Sequence, residues 1–248
     1  MDLGLSGKKA AVAASSTGLG FACAAALAAE GVQVAICALR EEDLAAPLAK
    51  LGDSAIGLAI DLSSPDECER FVVDAREQLG GLDILVTNGP GPRPGTFAGS
   101  DPLDYQKALE LNLLSVVRMC YAAVPAMQEQ GWGRVVAITS IAVRQPIANL
   151  ILSNTARAGA TGFLKTLARE VAGDGVTVNS VQPGLHETER VAAVYQDGLA
   201  AEVAQIPAGV LGQPADFGAL VAFLCSEQSR YLTGAAIPVD GGLYQALL

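Results

Sequence analysis

Seven short apolar runs punctuate the chain, at residues 10–14, 32–38, 55–60, 84–87, 134–138, 176–181 and 236–239. Continuous apolar runs of this length suit strands buried on both faces of a parallel sheet. Helix-length segments separate them. Ser64-Pro65-Asp66-Glu67 supplies an N-cap, a proline at the first helical position and an acid at the third. Asp101-Pro102-Leu103-Asp104 repeats that logic ahead of a long helix running towards Gln130, and Gln213-Pro214-Ala215-Asp216 opens another. Strand–helix alternation of this kind predicts an α/β domain: one doubly wound parallel sheet with right-handed crossovers and helices on both faces. Without a linker, charge run, low-complexity tract or repeat, residues 1–248 form one domain. The least regular stretch, 185–210, follows a strand and is expected at the carboxyl edge of the sheet, where such folds bind ligands.

Composition narrows the function. A chain of 248 residues with 51% hydrophobic residues can bury a large core, and its net charge of −10 argues against nucleic acid or an anionic membrane surface as a partner. Arg118 interrupts the most apolar candidate run, so no run approaches the ~20 residues of a membrane span. The N-terminal MDLGLSGKKA lacks a signal-peptide core, and a cytoplasmic location is expected. Cys23, Cys37, Cys68, Cys120 and Cys225 are scattered and odd in number, without CxxC spacing; they read as reduced, buried thiols, and no metal site is expected.

The first run leads into Ser15-Ser16-Thr17-Gly18-Leu19-Gly20, a strand, a small-residue turn and a helix start. That arrangement aims backbone N–H groups and a helix N-terminus at a pyrophosphate, although a packing turn would read the same way. Further signals follow in order: Asp61-Leu62 after the third run, Thr87-Asn88-Gly89-Pro90 after the fourth, Asn112 in LELNLL, Ser140 after the fifth, Pro183-Gly184 with Thr188 after the sixth, and Pro238-Val239-Asp240-Gly241-Gly242 near the end. In this order and spacing, and over nearly the whole chain, they resemble the short-chain dehydrogenase/reductase family, in particular its 3-oxoacyl reductase type. Family members are single-domain Rossmann-like proteins that use NAD or NADP. The resemblance puts Ala14, Ser15, Ser16, Gly18, Leu19 and Gly20 on the dinucleotide phosphates, with Ala13 and Ala14 replacing the threonine and first glycine of TGxxxGxG. It puts Asp61 and Leu62 at the adenine, Asn88 and Gly89 in the NNAG turn, and Pro183, Gly184 and Thr188 at the nicotinamide carboxamide. The second strand ends in Cys37-Ala38-Leu39-Arg40 without the acid that would bind a ribose 2′-OH. Arg40 suits a 2′-phosphate, which tips the expectation to NADP; the alternative is a solvated arginine paired with Glu41 or Glu42.

The catalytic segment departs from the family. Its pattern is a strand serine, then a tyrosine and a lysine four residues apart on the next helix. The tyrosine protonates the substrate oxygen, the lysine lowers the phenol pKa from ~10 and holds the nicotinamide ribose, and a helix asparagine supports a water relay. Ser140 and Asn112 match, but Ser153 stands at the tyrosine position and Arg157 at the lysine position. A serine hydroxyl is far less acidic and shorter in reach; arginine keeps the charge without relaying a proton. One reading is a changed working site, with another donor or with an anionic substrate held by Arg157. The other is decayed chemistry. His186, the sole histidine, is a candidate substitute donor or an exposed loop residue, with Tyr195 a lesser candidate; Arg93 and Arg144 line the substrate mouth or are merely solvated.

Three functions remain open: an NAD(P)-dependent oxidoreductase acting on a small-molecule carbonyl or alcohol, a catalytically impaired dinucleotide-binding sensor or scaffold, or a dehydratase or epimerase on the same fold. The family resemblance implies a homotetramer that pairs the helices around 102–130 and 149–171, where Ala156, Gly159 and Ala160 permit close approach.

Overall fold

The computed structural model describes residues 2–247. Its seven parallel strands are β1 (Lys9–Val12), β2 (Gln33–Ala38), β3 (Ile56–Ala59), β4 (Ile84–Thr87), β5 (Gly133–Ile138), β6 (Val176–Pro183) and β7 (Ala236–Val239), in the spatial order 3-2-1-4-5-6-7. Each apolar run of the sequence became one strand, giving the Rossmann-like α/β sheet. Strand order reverses between β1 and β4, so the loops after these two strands diverge and leave a crevice at the carboxyl edge.

Two apolar layers bury the sheet. On one face α3 (Pro65–Leu79), α5 (Ser115–Glu129) and α6 (Ile151–Val171) cover Ala11, Ala35, Leu85, Val135 and Val178. On the other, α1 (Gly18–Ala29) and α9 (Pro214–Cys225) cover Val12, Val34, Ile36, Val86 and Val181. The last two helices cross tightly because Gly218 has no side chain; a Cβ there would lie 2.3 Å from the Ala22 carbonyl oxygen. All five cysteines are free and buried. Burial raises the thiol pKa values of Cys37, Cys68, Cys120 and Cys225 to about 12, so they pack as apolar side chains.

Helix starts follow the sequence signals unequally. Asp101 forms the full capping box of α4 (Pro102–Leu109): its side chain accepts from the Leu103 N–H and Asp104 accepts from the Asp101 N–H. Ser64 occupies the N-cap of α3 but makes no side-chain cap; Glu67 instead turns back to accept from the Asp61 N–H at 2.7 Å. Helix α4 runs through a π-helical turn (Glu110–Leu114) into α5. The combined Pro102–Glu129 helix is, contrary to the sequence expectation, long and apolar enough by length and composition to cross a membrane. Its apolar side is committed to the core, with Val116, Met119, Cys120, Ala123, Val124 and Met127 buried. The irregular stretch 185–210 carries the remaining short helices, α7 (Glu189–Tyr195) and α8 (Leu199–Val203), with a short α2 (Ala45–Leu51) after β2.

Candidate active site

The β1–α1 turn forms one side of the crevice. Ser15 is fully buried; its hydroxyl donates to the Val12 carbonyl and receives the Cys37 N–H, which ties the turn to β2. Ala14, at the position where the family pattern has glycine, is forced to φ +46°. Its carbonyl oxygen accepts from Asn88 Nδ2 at 3.0 Å, so the loop after β4 braces the turn. Gly20 permits this contact: a Cβ there would lie 2.3 Å from the same carbonyl and 2.8 Å from Asn88 Nδ2. The N–H groups of Gly18, Leu19 and Gly20 open α1 and take no protein acceptor among the described residues. Unpaired N–H groups at a helix N-terminus fit a phosphate. Across the crevice, Thr188 caps α7, accepting from the Val191 N–H, and its side chain faces Gly18. Gly184 follows Pro183 and donates its N–H to Val239, packed on Asp240 too closely for any side chain.

The turns at Asp61 and Arg40 are equally local in their bonding. Asp61 accepts from the Ser63 N–H and hydroxyl, a tight turn that leaves Leu62 buried beneath it. Arg40 is exposed; it grips Asp43 through two hydrogen bonds of 2.9 and 2.8 Å, with Glu42 at 3.2 Å. Its partners are therefore Asp43 and Glu42, not Glu41.

The residues expected to be catalytic lie around the ends of β4 and β5. Ser140 caps a short 3-10 turn, its oxygen accepting from the Ala142 N–H at 3.1 Å, which leaves its proton free to be donated. Ser153 and Arg157 are one turn apart on α6, both buried. The Ser153 hydroxyl makes no hydrogen bond with a described residue. Arg157 Nη1 donates to the carbonyls of Ile138 (3.0 Å) and Thr139 (3.2 Å), and Nη2 donates to Gly89 (3.1 Å). The guanidinium thus stitches the strand end bearing Ser140 to the Asn88-Gly89 turn. Burial first, then the charge of Arg190, pushes its pKa down to about 10. Asn112 lies in the π-helical turn, where Nδ2 donates to the Pro90 carbonyl at 3.1 Å and the buried Oδ1 has no partner among the described residues.

Several candidates lie elsewhere than expected. His186 is 3% exposed, neither a solvent-facing loop residue nor an accessible donor. Its ring packs edge-on to Phe217 with centroids 5.1 Å apart, Nδ1 is 3.3 Å from the Gly184 carbonyl, and Gly212 backs Nε2. Both nitrogens face backbone, and burial lowers the ring pKa. Arg144 donates to Gln182 and the Ala236 carbonyl, while Arg93 is tied to Asp104, so neither is merely solvated. Tyr195 is half-buried with its pKa raised by burial, the wrong direction for an activated phenol. The sequence reading missed Arg190, which donates to the Pro92 carbonyl at 3.0 Å and clamps the segment after β6 onto the loop after β4. It also missed the pairing of that loop with the start of α6 through the Gly95 N–H and the Asn149 carbonyl. The only sequence signal for Arg190 was its place two residues beyond Thr188.

A crevice at the strand-order reversal, a phosphate-suited turn and a polar cluster at the next strand ends define an α/β oxidoreductase architecture. The family model described as enoyl-(acyl carrier protein) reductase matches residues 13–244. The chain is 36% identical to 3-oxoacyl-(acyl-carrier-protein) reductase FabG of Vibrio cholerae serotype O1 over 242 residues, 98% of this chain and 99% of that protein. It is 37% identical to the protein of that name from Escherichia coli K12 over 238 residues, 96% of this chain and 98% of that protein. Among solved structures it is similar to L-sorbose reductase from Gluconobacter frateurii complexed with NADPH and L-sorbose, at a TM-score of 0.94 and 31% identity over 100% of both chains. It is also similar to an actinorhodin polyketide ketoreductase variant with NADPH, at a TM-score of 0.91 and 32% identity, covering 95% and 97% of the two chains. The chain belongs to the short-chain dehydrogenase/reductase family of oxidoreductases, on the 3-oxoacyl reductase-like side.

Proposed function

We propose that the protein is an NAD(P)-dependent reductase or dehydrogenase of a small carbonyl or alcohol, with NADP favoured and with an altered proton-donor site. The observation that carries this reading is the N–H row Gly18–Gly20, unpaired among the described residues, whose turn is joined through Asn88-Gly89 to Arg157 and the strand end bearing Ser140. Ala14–Gly20 would hold the pyrophosphate, Asp61 and Leu62 the adenine, Asn88 and Gly89 the adjoining ribose, and Pro183, Gly184 and Thr188 the carboxamide. A nicotinamide dinucleotide bound there supplies hydride transfer to or from carbon. Arg40 supports NADP because its guanidinium, released from Asp43, suits a 2′-phosphate; relatives in the family are solved with NADPH.

The chain's own residues orient and protonate. Ser140, fixed as an acceptor from Ala142, donates its proton towards a substrate oxygen. Ser153 is shorter than the tyrosine of the family pattern, and its hydroxyl acts only through a bridging water. Arg157 holds both walls of the site and contributes positive charge, without passing a proton. Positioned acid–base catalysis supplies ~10²–10⁴-fold in rate, and this site lacks its usual donor. Slow turnover of ordinary ketones is therefore expected, and a dinucleotide sensor or scaffold is the second reading that the absent phenol favours. NADPH oxidation is followed by absorbance against a ketone panel, for wild type and for Ser153→Tyr combined with Arg157→Lys. Higher activity in the double variant supports the reading. Brisk wild-type turnover unaffected by Ser140→Ala would contradict it.

Assembly as a homotetramer in the cytoplasm belongs to the same proposal. Of the small-residue face, Ala156 and Ala160 are buried within the chain and Gly159 is exposed. Leu103 on α4, Leu114 in the π-helical turn and Tyr121 on α5 are exposed and offer an apolar surface for assembly.

A further inference from the structure

We propose that Arg157 and Arg190 together read an anionic group, assigned to a carboxylate on the substrate, over the Gly89–Pro92 turn. This rests on the oxidoreductase reading above and deepens it: the substrate would be a carbonyl or hydroxyl compound that also carries a carboxylate. The two guanidiniums converge on one loop, Arg157 through Gly89 and Arg190 through Pro92, at 3.1 and 3.0 Å. Arg190 also lies against Gly91, where a Cβ would be 3.0 Å from its Nη2. Among the described residues neither guanidinium has a carboxylate within ion-pair distance.

Three arginines elsewhere in the fold, one of them buried, have a carboxylate partner. Arg134, also buried, has Glu227 at 3.9 Å and the Trp132 ring at 4.2 Å. Arg40 and Arg93 are each paired with an aspartate. Three carbonyl oxygens accept from the two Nη atoms of Arg157 but leave its charge uncompensated, and a buried charge without a counter-ion is costly. The charge of Arg190 adds to that cost, in keeping with the lowered pKa of Arg157. An anion bound between them would relieve both. The chain carries a net charge of −10, so anion recognition has to be local, and this pair provides a positive spot beside Ser140. Arg190 is exposed and keeps unused N–H donors for a bidentate carboxylate contact. The same anionic chemistry could come from the dinucleotide pyrophosphate, because Arg190 follows Thr188, which faces Gly18.

Calorimetric titration separates the two sources. Acetoacetate, 4-oxopentanoate and 3-oxooctanoate, each paired with its neutral amide, are titrated into wild type and Arg190→Gln, with and without NADPH. NADPH itself is titrated into both proteins. At least one carboxylate should bind wild type about tenfold tighter than its amide. That preference should fall towards unity in Arg190→Gln, persist in part in Arg190→Lys, and leave the NADPH affinity unchanged. Absence of a carboxylate preference throughout the series would overturn the proposal, as would a preference that survives in Arg190→Gln. Weaker NADPH binding in Arg190→Gln, with the carboxylate preference intact, would assign the arginine to the pyrophosphate and also overturn it. Failure of NADPH to bind wild type would count against the oxidoreductase reading, while the comparison without cofactor still decides the carboxylate claim.

Discussion

Arg157 shows how one substitution changes a site's physics. A lysine has one nitrogen to share, whereas this guanidinium spans three carbonyls on two walls. Arg157→Lys alone should therefore leave buried carbonyls unpaired and cost about 1–3 kcal/mol. At about 2–4 °C per kcal/mol for a domain of this size, calorimetry should show a clear fall in Tm, and an unchanged Tm would mean the carbonyl contacts are weak. His186 makes a second residue-scale prediction. Burial depresses its folded pKa below the unfolded value of about 6.5, so the unfolded chain takes up the proton first. The histidine's contribution is complete above pH ~6.5 and is lost as pH falls towards the folded pKa. The Tm of wild type should thus drop more between pH 7.5 and 5.5 than that of His186→Gln, which keeps the same carboxylates; parallel curves would refute the depression. The residue types at Ser140, Ser153 and Arg157 were legible in the sequence, but their contacts were not. Nothing in a linear pattern says that a guanidinium four residues past a serine reaches back to two different strand ends. His186 misled for a related reason: its neighbours in sequence are loop-like, while Phe217 and Gly212, which bury it, are distant along the chain.

At the scale of elements, the strands were the most legible part, since continuous apolar runs between caps have few other solutions. Caps were legible where side chain and backbone agree, as at Asp101, and not where a competing acceptor wins, as Glu67 does over Ser64. The π-helical turn at Glu110–Leu114 left no sequence signal, yet it carries Asn112 and its unpartnered oxygen. The β1–α1 turn supplies the element-scale prediction. Ala14 sits at φ +46°, a left-handed conformation that costs a residue with a side chain roughly 1–2 kcal/mol. Glycine there removes the strain while loosening the unfolded chain by less. Ala14→Gly should raise Tm by about 2–4 °C and leave the fold intact; a lower Tm would mean the alanine methyl packs against something essential.

At the scale of the whole molecule, Leu103 on α4, Leu114 in the π-helical turn and Tyr121 on α5 are exposed apolar side chains along one continuous helix. Large exposed apolar surfaces mark association sites. Light scattering should give a tetramer, and Tyr121→Glu with Leu114→Glu should reduce it to a smaller species; a wild-type monomer would refute this. From sequence, Gly159 and the alanines of α6 read as one open small-residue face; Gly159 is exposed, but Ala156 and Ala160 are not. They are consumed by the chain's own helix packing, with Ala156 against Ala108 and Leu152.

The central claim, that the turn from Ala14 to Gly20 and the loop bearing Asn88 hold a nicotinamide dinucleotide, is tested most directly by titrating NADPH and NADH into the protein and following Tm. A ligand that binds only the folded state stabilises it by RT ln(1 + [L]/Kd), so saturating cofactor at about 100 Kd should add ~2.7 kcal/mol and raise Tm by several degrees. NADPH should act at lower concentration than NADH, and Arg40→Asp should reverse or erase that order. No shift with either dinucleotide at millimolar concentration would contradict the account.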